Sequence, residues 1–236
     1  MLARKQFQEV ERKGKLLARP SPGSKACVLP GERPLGLGNG RDGVLFVPSS
    51  YNPGKPAPLL LCLHGAGGCA GHRIDPLRAE AEREGVVLVA PDSVGATWDM
   101  LMRGFGPDVE RIDRALGGVF AELSIDPTRV GIEGFSDGAS YALSLGIANG
   151  DLFSYVFAFS PGFMSPPTQV GKPRILVTHG VADQVLPVAC SRRIVPVLRA
   201  AGYETEYREF DGPHRVPADA VREAMDVLVG RRSPSA

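Results

Sequence analysis

Arg129-Val130-Gly131-Ile132-Glu133-Gly134-Phe135-Ser136-Asp137-Gly138-Ala139-Ser140-Tyr141-Ala142-Leu143-Ser144-Leu145-Gly146 is the stretch that decides the fold. Residues 129–133 are short and partly β-branched, which predicts a strand, and residues 139–146 are small and apolar at helical spacing. Between them lies a G-x-S-x-G pattern. A strand–turn–helix places its serine on a sharp bend, where a side chain at either flanking glycine would collide with neighbouring backbone. The hydroxyl then projects above the sheet, and the N–H of Asp137 lies where an oxyanion would form.

Outward from this bend, apolar runs alternate with helical patterns. Strands are predicted at residues 44–47, ended by Pro48, and at 59–63, 86–90, 155–159, 174–178 and 204–210. Helices are predicted at residues 74–84, 108–123, 188–201 and 218–229, the third closed by Gly202. The 108–123 helix keeps Val109, Ile112, Leu116, Val119, Phe120 and Leu123 on one face and stops before Asp126-Pro127. Continuous apolar strands separated by helices predict an α/β protein with a mostly parallel sheet covered on both faces. Residues 1–40, rich in Pro, Gly and basic side chains, read as a loosely packed arm with a short helix near 5–12. Residues 41–230 read as one domain and 231–236 as a tail.

A chain of 236 residues with 43% hydrophobic and 22% charged residues can bury a substantial core. Its net charge of +1 gives no broad field to attract nucleic acid or an anionic membrane. No run of about 18 apolar residues is available to span a bilayer. The N-terminal residues carry no apolar core of a secretory signal, so a cytoplasmic protein is expected. The 4 cysteines, Cys27, Cys62, Cys69 and Cys190, lack metal-site or redox spacing. Reduced thiols are expected, with a Cys62–Cys69 bridge left open.

Acyl transfer by a serine needs a base, an acid that orients the base, and donors for the oxyanion. On such a fold the chain order is serine, acid, histidine. His214, in the loop Gly212-Pro213-His214, is the base that this order selects, and Asp183, after Thr178-His179-Gly180, is the acid. Asp211, Asp137 and Asp92 are its rivals. Of the other histidines, His64 and His179 read as braces of strand-end loops and His72 as a surface residue. Leu63-His64-Gly65-Ala66-Gly67-Gly68 supplies small residues after a strand. There the N–H of Ala66 is the first oxyanion donor, with Gly67 in reserve, and that of Asp137 is the second. Trp98 reads either as the wall of a substrate pocket or as packing. Asp99, Asp108 and Asp113 read as structural caps or ion partners.

Together these residues resemble the serine esterases of the α/β-hydrolase fold, in particular the compact bacterial phospholipase/carboxylesterase and polyhydroxybutyrate-depolymerase-like groups. The likeness rests on His64-Gly65-Ala66-Gly67-Gly68, Ala90-Pro91-Asp92-Ser93, Thr97-Trp98-Asp99, the serine bend, His179-Gly180-Val181-Ala182-Asp183 and Gly212-Pro213-His214. The resemblance implies a Ser136–His214–Asp183 triad, no metal or cofactor, and a small-molecule ester as substrate. The expected protein is a monomer or homodimer with neither nucleic-acid nor membrane partner. Residues 160–173 are too short and Pro-rich for a large lid. Thioesters and feruloyl or other aryl esters fit the same machinery, and a non-catalytic binding protein would normally have a broken triad.

Overall fold

The computed structural model describes residues 14–21, 28–38 and 40–231, leaving aside the side chains of Met102 and Arg103. The predicted helix near residues 5–12, Cys27 and residues 232–236 lie outside the described residues.

One sheet organises the chain. Its eight strands run in the order β1 (Gly31–Pro34), β2 (Gly43–Val47), β4 (Val87–Pro91), β3 (Ala57–Leu63), β5 (Ile125–Phe135), β6 (Tyr155–Phe159), β7 (Arg174–Gly180) and β8 (Thr205–Phe210). β1 and β2 pair antiparallel, β2 joins β4 antiparallel, and β4 through β8 are parallel. Side-chain alternation along each strand divides the core in two. Leu59, Leu61 and Leu63 face α4 (Pro107–Glu122), α5 (Asp137–Ala148) and α6 (Ala189–Ala200), while Leu60 and Cys62 face α1 (Ala70–Ile74), α2 (Arg78–Glu84) and α7 (Ala218–Leu228). A short helix, α3 (Met100–Arg103), precedes α4. This is the α/β-hydrolase fold. No helix among the described residues is long and apolar enough to cross a membrane.

Three elements differ from their sequence expectation. Pro76 lies between α1 and α2 and interrupts the predicted 74–84 helix, because proline has no N–H to continue the helical hydrogen-bond ladder. The strand through the serine bend starts at Ile125, four positions early, and its pairing with β3 shifts register across Pro127. The stretch read as a loose arm is tied down: it contributes β1, whose Pro34 is tolerated because an edge strand need not donate on its outer side. Leu16 is fully buried, and Asn149 at the end of α5 both accepts from Leu16 N (2.8 Å) and donates to Gly14 O (2.7 Å).

The connection from β6 to β7, residues 160–173, contains neither helix nor strand. It is fastened along α5: Ser140 Oγ accepts from Gly162 N at 3.0 Å and Ser144 Oγ from Ser165 N at 2.9 Å. No large lid is built there.

Candidate active site

Ser136 stands between β5 and α5 at φ 58°, ψ −120°, a left-handed conformation that costs a non-glycine residue about 1–3 kcal/mol and must be held by its surroundings. Its N–H donates to Phe159 O at 2.9 Å, and its carbonyl accepts from Ala139 and Ser140 at 3.0 and 3.1 Å. A Cβ at Gly134 would run into the carbonyl of Gly138, and one at Gly138 into the carbonyls of Leu63 and His64. The motif's small flanks are therefore required by backbone contact across the bend. Ser136 is 9% exposed, buried against its neighbours.

The loops after β7 and β8 meet beside it. A Cβ at Gly180 would strike the backbone of Gly212 and Pro213, so glycine lets the two loops close. Ala182 N then donates to Gly212 O at 3.1 Å and Val181 N to Phe210 O at 2.9 Å. Across this junction His214 Nδ1 donates to Asp183 Oδ2 at 2.5 Å, and the other carboxylate oxygen of Asp183 accepts from Val185 N (2.9 Å) and Leu186 N (2.8 Å). Burial pushes the Asp183 carboxyl up, but the His214 and backbone hydrogen bonds outweigh it and hold the group below the usual carboxylate range. The imidazole of His214 packs on Phe135, the residue before Ser136, with ring centroids 4.6 Å apart. The rival acids are elsewhere engaged: Asp92 accepts from Ala70 N at 2.6 Å, and Asp137 accepts from the Thr97 hydroxyl at 2.7 Å. Asp211 is exposed and makes no bond to His214.

The loop after β3 forms the other wall. The backbone of Gly65 passes Ser136 so closely that an added Cβ would lie 3.4 Å from Ser136 Cβ. Gly67 N donates to Ala96 O at 2.7 Å, which removes it as the reserve oxyanion donor and as a substrate contact through that group; Ala66 is left with the assignment. Arg41 ties the loop down through Gly68 O (2.7 Å) and Ser93 O (2.8 Å). His64 braces it from inside, donating from Nδ1 to Gly65 O at 2.7 Å and accepting at Nε2 from Ser93 N at 3.0 Å. Burial, reinforced by the nearby Arg41, lowers its pKa and keeps the ring neutral.

Trp98 is not a pocket wall. It is fully buried, donates from Nε1 to His64 O at 2.8 Å, and packs between His64 and Tyr141 at ring distances of 4.9 and 5.1 Å. A buried indole needs an acceptor, and the strand-end carbonyl provides one. Asp99 and Asp108 are caps: each carboxylate accepts from the other's backbone N–H, at 2.7 Å both ways, at the start of α4. Asp113 accepts from Leu17 N and Ala18 N at 2.6 and 2.8 Å.

The packing role of Phe135 and the Arg73–Glu133 pair carry no sequence signal that the motif reading used, while His179 makes the bracing bonds that its place at a strand end predicts. Phe135 occupies a variable position of the motif, yet it carries His214. His179 is fully buried and donates from Nε2 to Leu186 O at 2.8 Å, with Asp183 Oδ2 at 3.3 Å, while Nδ1 accepts from the Ser191 hydroxyl at 2.7 Å. Arg73 and Glu133 form a buried ion pair below the bend, with Nη2–Oε2 at 2.6 Å. Burial raises the Glu133 carboxyl against the pull of Arg73, and burial with Glu133 nearby pushes the Cys62 thiol up. Cys62, Cys69 and Cys190 are all free, so the Cys62–Cys69 bridge is not formed.

A cavity of about 230 Å³ is lined by His64, Gly65, Ala66, Gly68, His72, Arg73 and Phe135, the residue before Ser136.

The sequence profile of the phospholipase/carboxylesterase family matches residues 109–229. Feruloyl esterase C of Emericella nidulans is 34% identical over 158 residues, covering 64% of this chain and 57% of that protein. A putative esterase, NocK, of Nocardia uniformis is 32% identical over 152 residues, covering 58% of this chain and 44% of that one. The chain thus matches 57% and 44% of the length of these two curated relatives. Among solved structures, a ferulic acid esterase from Anaeromyces mucronatus in complex with ferulic acid superposes with a TM-score of 0.62 at 18% identity, over 92% of this chain and 99% of that one. Esterase PE8 gives 0.65 at 22% identity, over 79% and 96%.

Proposed function

The chain belongs to the phospholipase/carboxylesterase family, and we propose that it is a serine carboxylic ester hydrolase in which Ser136 is the nucleophile, His214 the base and Asp183 the orienting acid. The observation that carries this is the placement of His214: bonded through Nδ1 to Asp183 at 2.5 Å and packed, ring centroids 4.6 Å apart, on the residue that precedes a strained serine. Nδ1 donates to a carboxylate, so Nε2 carries the lone pair that takes the Ser136 proton as Oγ attacks the ester carbonyl. The N–H groups of Ala66 and Asp137 receive the developing oxyanion. The proton passes to the leaving alcohol, and water activated by His214 then hydrolyses the acyl-enzyme.

The pinned β6–β7 connection supports an open site for small or medium esters. Similarity to proteins named as feruloyl esterases favours aryl-acyl esters as the second reading. Free thiols at Cys62, Cys69 and Cys190 suit a reducing, cytoplasmic compartment. The test is hydrolysis of p-nitrophenyl esters from acetyl to palmitoyl, with methyl ferulate alongside. Ser136→Ala should lower kcat by at least about 10⁴-fold while the fold is kept. Turnover that survives this substitution would remove Ser136 from the mechanism, and a peak at long emulsified chains would remove the open-site reading.

A further inference from the structure

We propose that the cavity lined by Phe135 and the Gly65-Ala66 backbone is the subsite for the leaving alcohol, and that it selects alcohols bearing further neutral oxygens over plain alkyl alcohols. This rests on the roles given above to Ser136 and His214.

Position assigns the cavity to the alcohol. Collapse of the tetrahedral intermediate breaks the bond between carbonyl carbon and alcohol oxygen, and the proton that His214 took from Ser136 goes to that oxygen. The alcohol must therefore begin beside His214. Phe135, whose ring carries His214, is a wall of the cavity, and the other side is the Gly65-Ala66 backbone that would hold the oxyanion. An ester with its carbonyl oxygen at Ala66 and its alcohol oxygen under His214 has its alcohol arm in this space. At about 230 Å³ the cavity is smaller than the roughly 300 Å³ at which drug-sized pockets begin, which suits a small polyol.

Chemistry assigns the selectivity. Arg73, 4% exposed, lines the cavity. Its Nε and Nη2 donate to Glu133 at 2.6 to 2.9 Å, and Nη1 has no hydrogen-bond partner among the described residues. A guanidinium has five N–H donors, so the pair leaves capacity unused in a buried place, where it is worth most. Glu133 already neutralises the charge, so an anionic arm gains little, and a hydroxyl or ether oxygen is the acceptor that fits. The face of Phe135 covers the carbon skeleton of such an arm.

Propyl butyrate and glyceryl monobutyrate share the acyl group and the three-carbon alcohol and differ by two hydroxyls. Wild-type protein should favour the glyceryl ester by about tenfold or more in kcat/KM, the usual value of a hydrogen bond from a charged donor. Arg73→Met/Glu133→Leu exchanges the buried pair for apolar side chains, a change that folds usually tolerate. The ratio should fall to about one through a higher KM for the glyceryl ester. His72→Trp, at an exposed helix position on the cavity rim, should lower glyceryl ester turnover about tenfold by filling the space, and it carries the test if the double variant fails to fold. Labelling of Ser136 by a small fluorophosphonate reports the nucleophile independently of the alcohol subsite. A wild-type ratio near one, or a preference that survives in the variants, overturns the subsite while leaving the esterase reading in place. Absence of Ser136-dependent turnover on both esters overturns the two together.

Discussion

Two strand-end loops of this molecule begin with the same dipeptide, His64-Gly65 after β3 and His179-Gly180 after β7, and the two imidazoles do opposite work. His64 donates from Nδ1 to Gly65 O and accepts at Nε2 from Ser93 N, with the cationic Arg41 guanidinium 3.4 Å from Nε2. His179 is wired the other way round, accepting at Nδ1 from Ser191 and donating from Nε2 to Leu186 O, within 3.3 Å of the charged Asp183. One shapes the wall where an oxyanion would rest; the other fixes the loop that carries the acid. A histidine before a glycine at a parallel strand's end is thus a two-sided clamp, and its tautomer follows from what each side offers.

The largest effect that separates the two loops is expected at the acid itself. Asp183→Asn keeps the loop's shape but removes the charge that orients and stabilises His214, so kcat should fall by about 10⁴-fold with little change in KM. A loss below tenfold would mean that another group orients the base. Next comes His179→Phe, which leaves Leu186 O and the Ser191 hydroxyl unpaired and loosens Asp183. Misplacement of about 1 Å near a reaction centre costs about 100-fold, and a loss of that size in kcat is expected, with substrate KM unaltered. Unchanged kcat in a folded variant would reduce His179 to packing.

On the other loop the effects fall on stability. Trp98→Phe keeps most of the ring volume and takes away the donor to His64 O, so unfolding free energy should drop by about 1–3 kcal/mol while the acyl-chain profile stays the same. A shifted profile would return Trp98 to the pocket. The smallest effect is a pH dependence. The folded-state pKa of His64 lies below its unfolded value, so the unfolded chain binds the extra proton; stability is fully present above about pH 6.5 and is lost as pH falls through the folded value. In urea unfolding followed from pH 7.5 to 5, His64→Gln should flatten that decline, since Asp183, also held low, loses its contribution only below its ordinary value near 3.8. An unaltered slope would place the proton uptake elsewhere.

Much of the site was legible because its requirements are local. The serine bend needs glycine wherever backbone crosses backbone within a few residues, and Gly134 and Gly138 declare that need in five positions. Gly180 obeys the same rule across two loops, yet it follows His179 directly and so marks the right strand end. Asp99 and Asp108 were readable as caps because short acidic side chains near helix starts accept backbone N–H groups, whereas Asp113, in mid-helix, accepts from Leu17 N and Ala18 N far along the chain. The β1 strand was hidden, since proline and glycine advertise irregular chain and only pairing with β2 makes Gly31–Pro34 extended. Pro76 was visible but overruled by the apolar spacing around it.

The linear pattern alone determined the parallel α/β architecture, the serine bend and the loops that carry the candidate residues Asp183 and His214, because periodicity, turn chemistry and glycine demand act over a few residues. Tertiary structure decided everything that depends on a partner far along the chain: that Trp98 donates to His64 O beneath the loop and faces no substrate, that Phe135 carries His214, that Gly67 spends its N–H on Ala96, and that Arg73 meets Glu133 beside the cavity. Such pairings are settled by which buried donor finds which acceptor once the sheet has formed, and a buried polar group must be satisfied by whatever the fold brings to it.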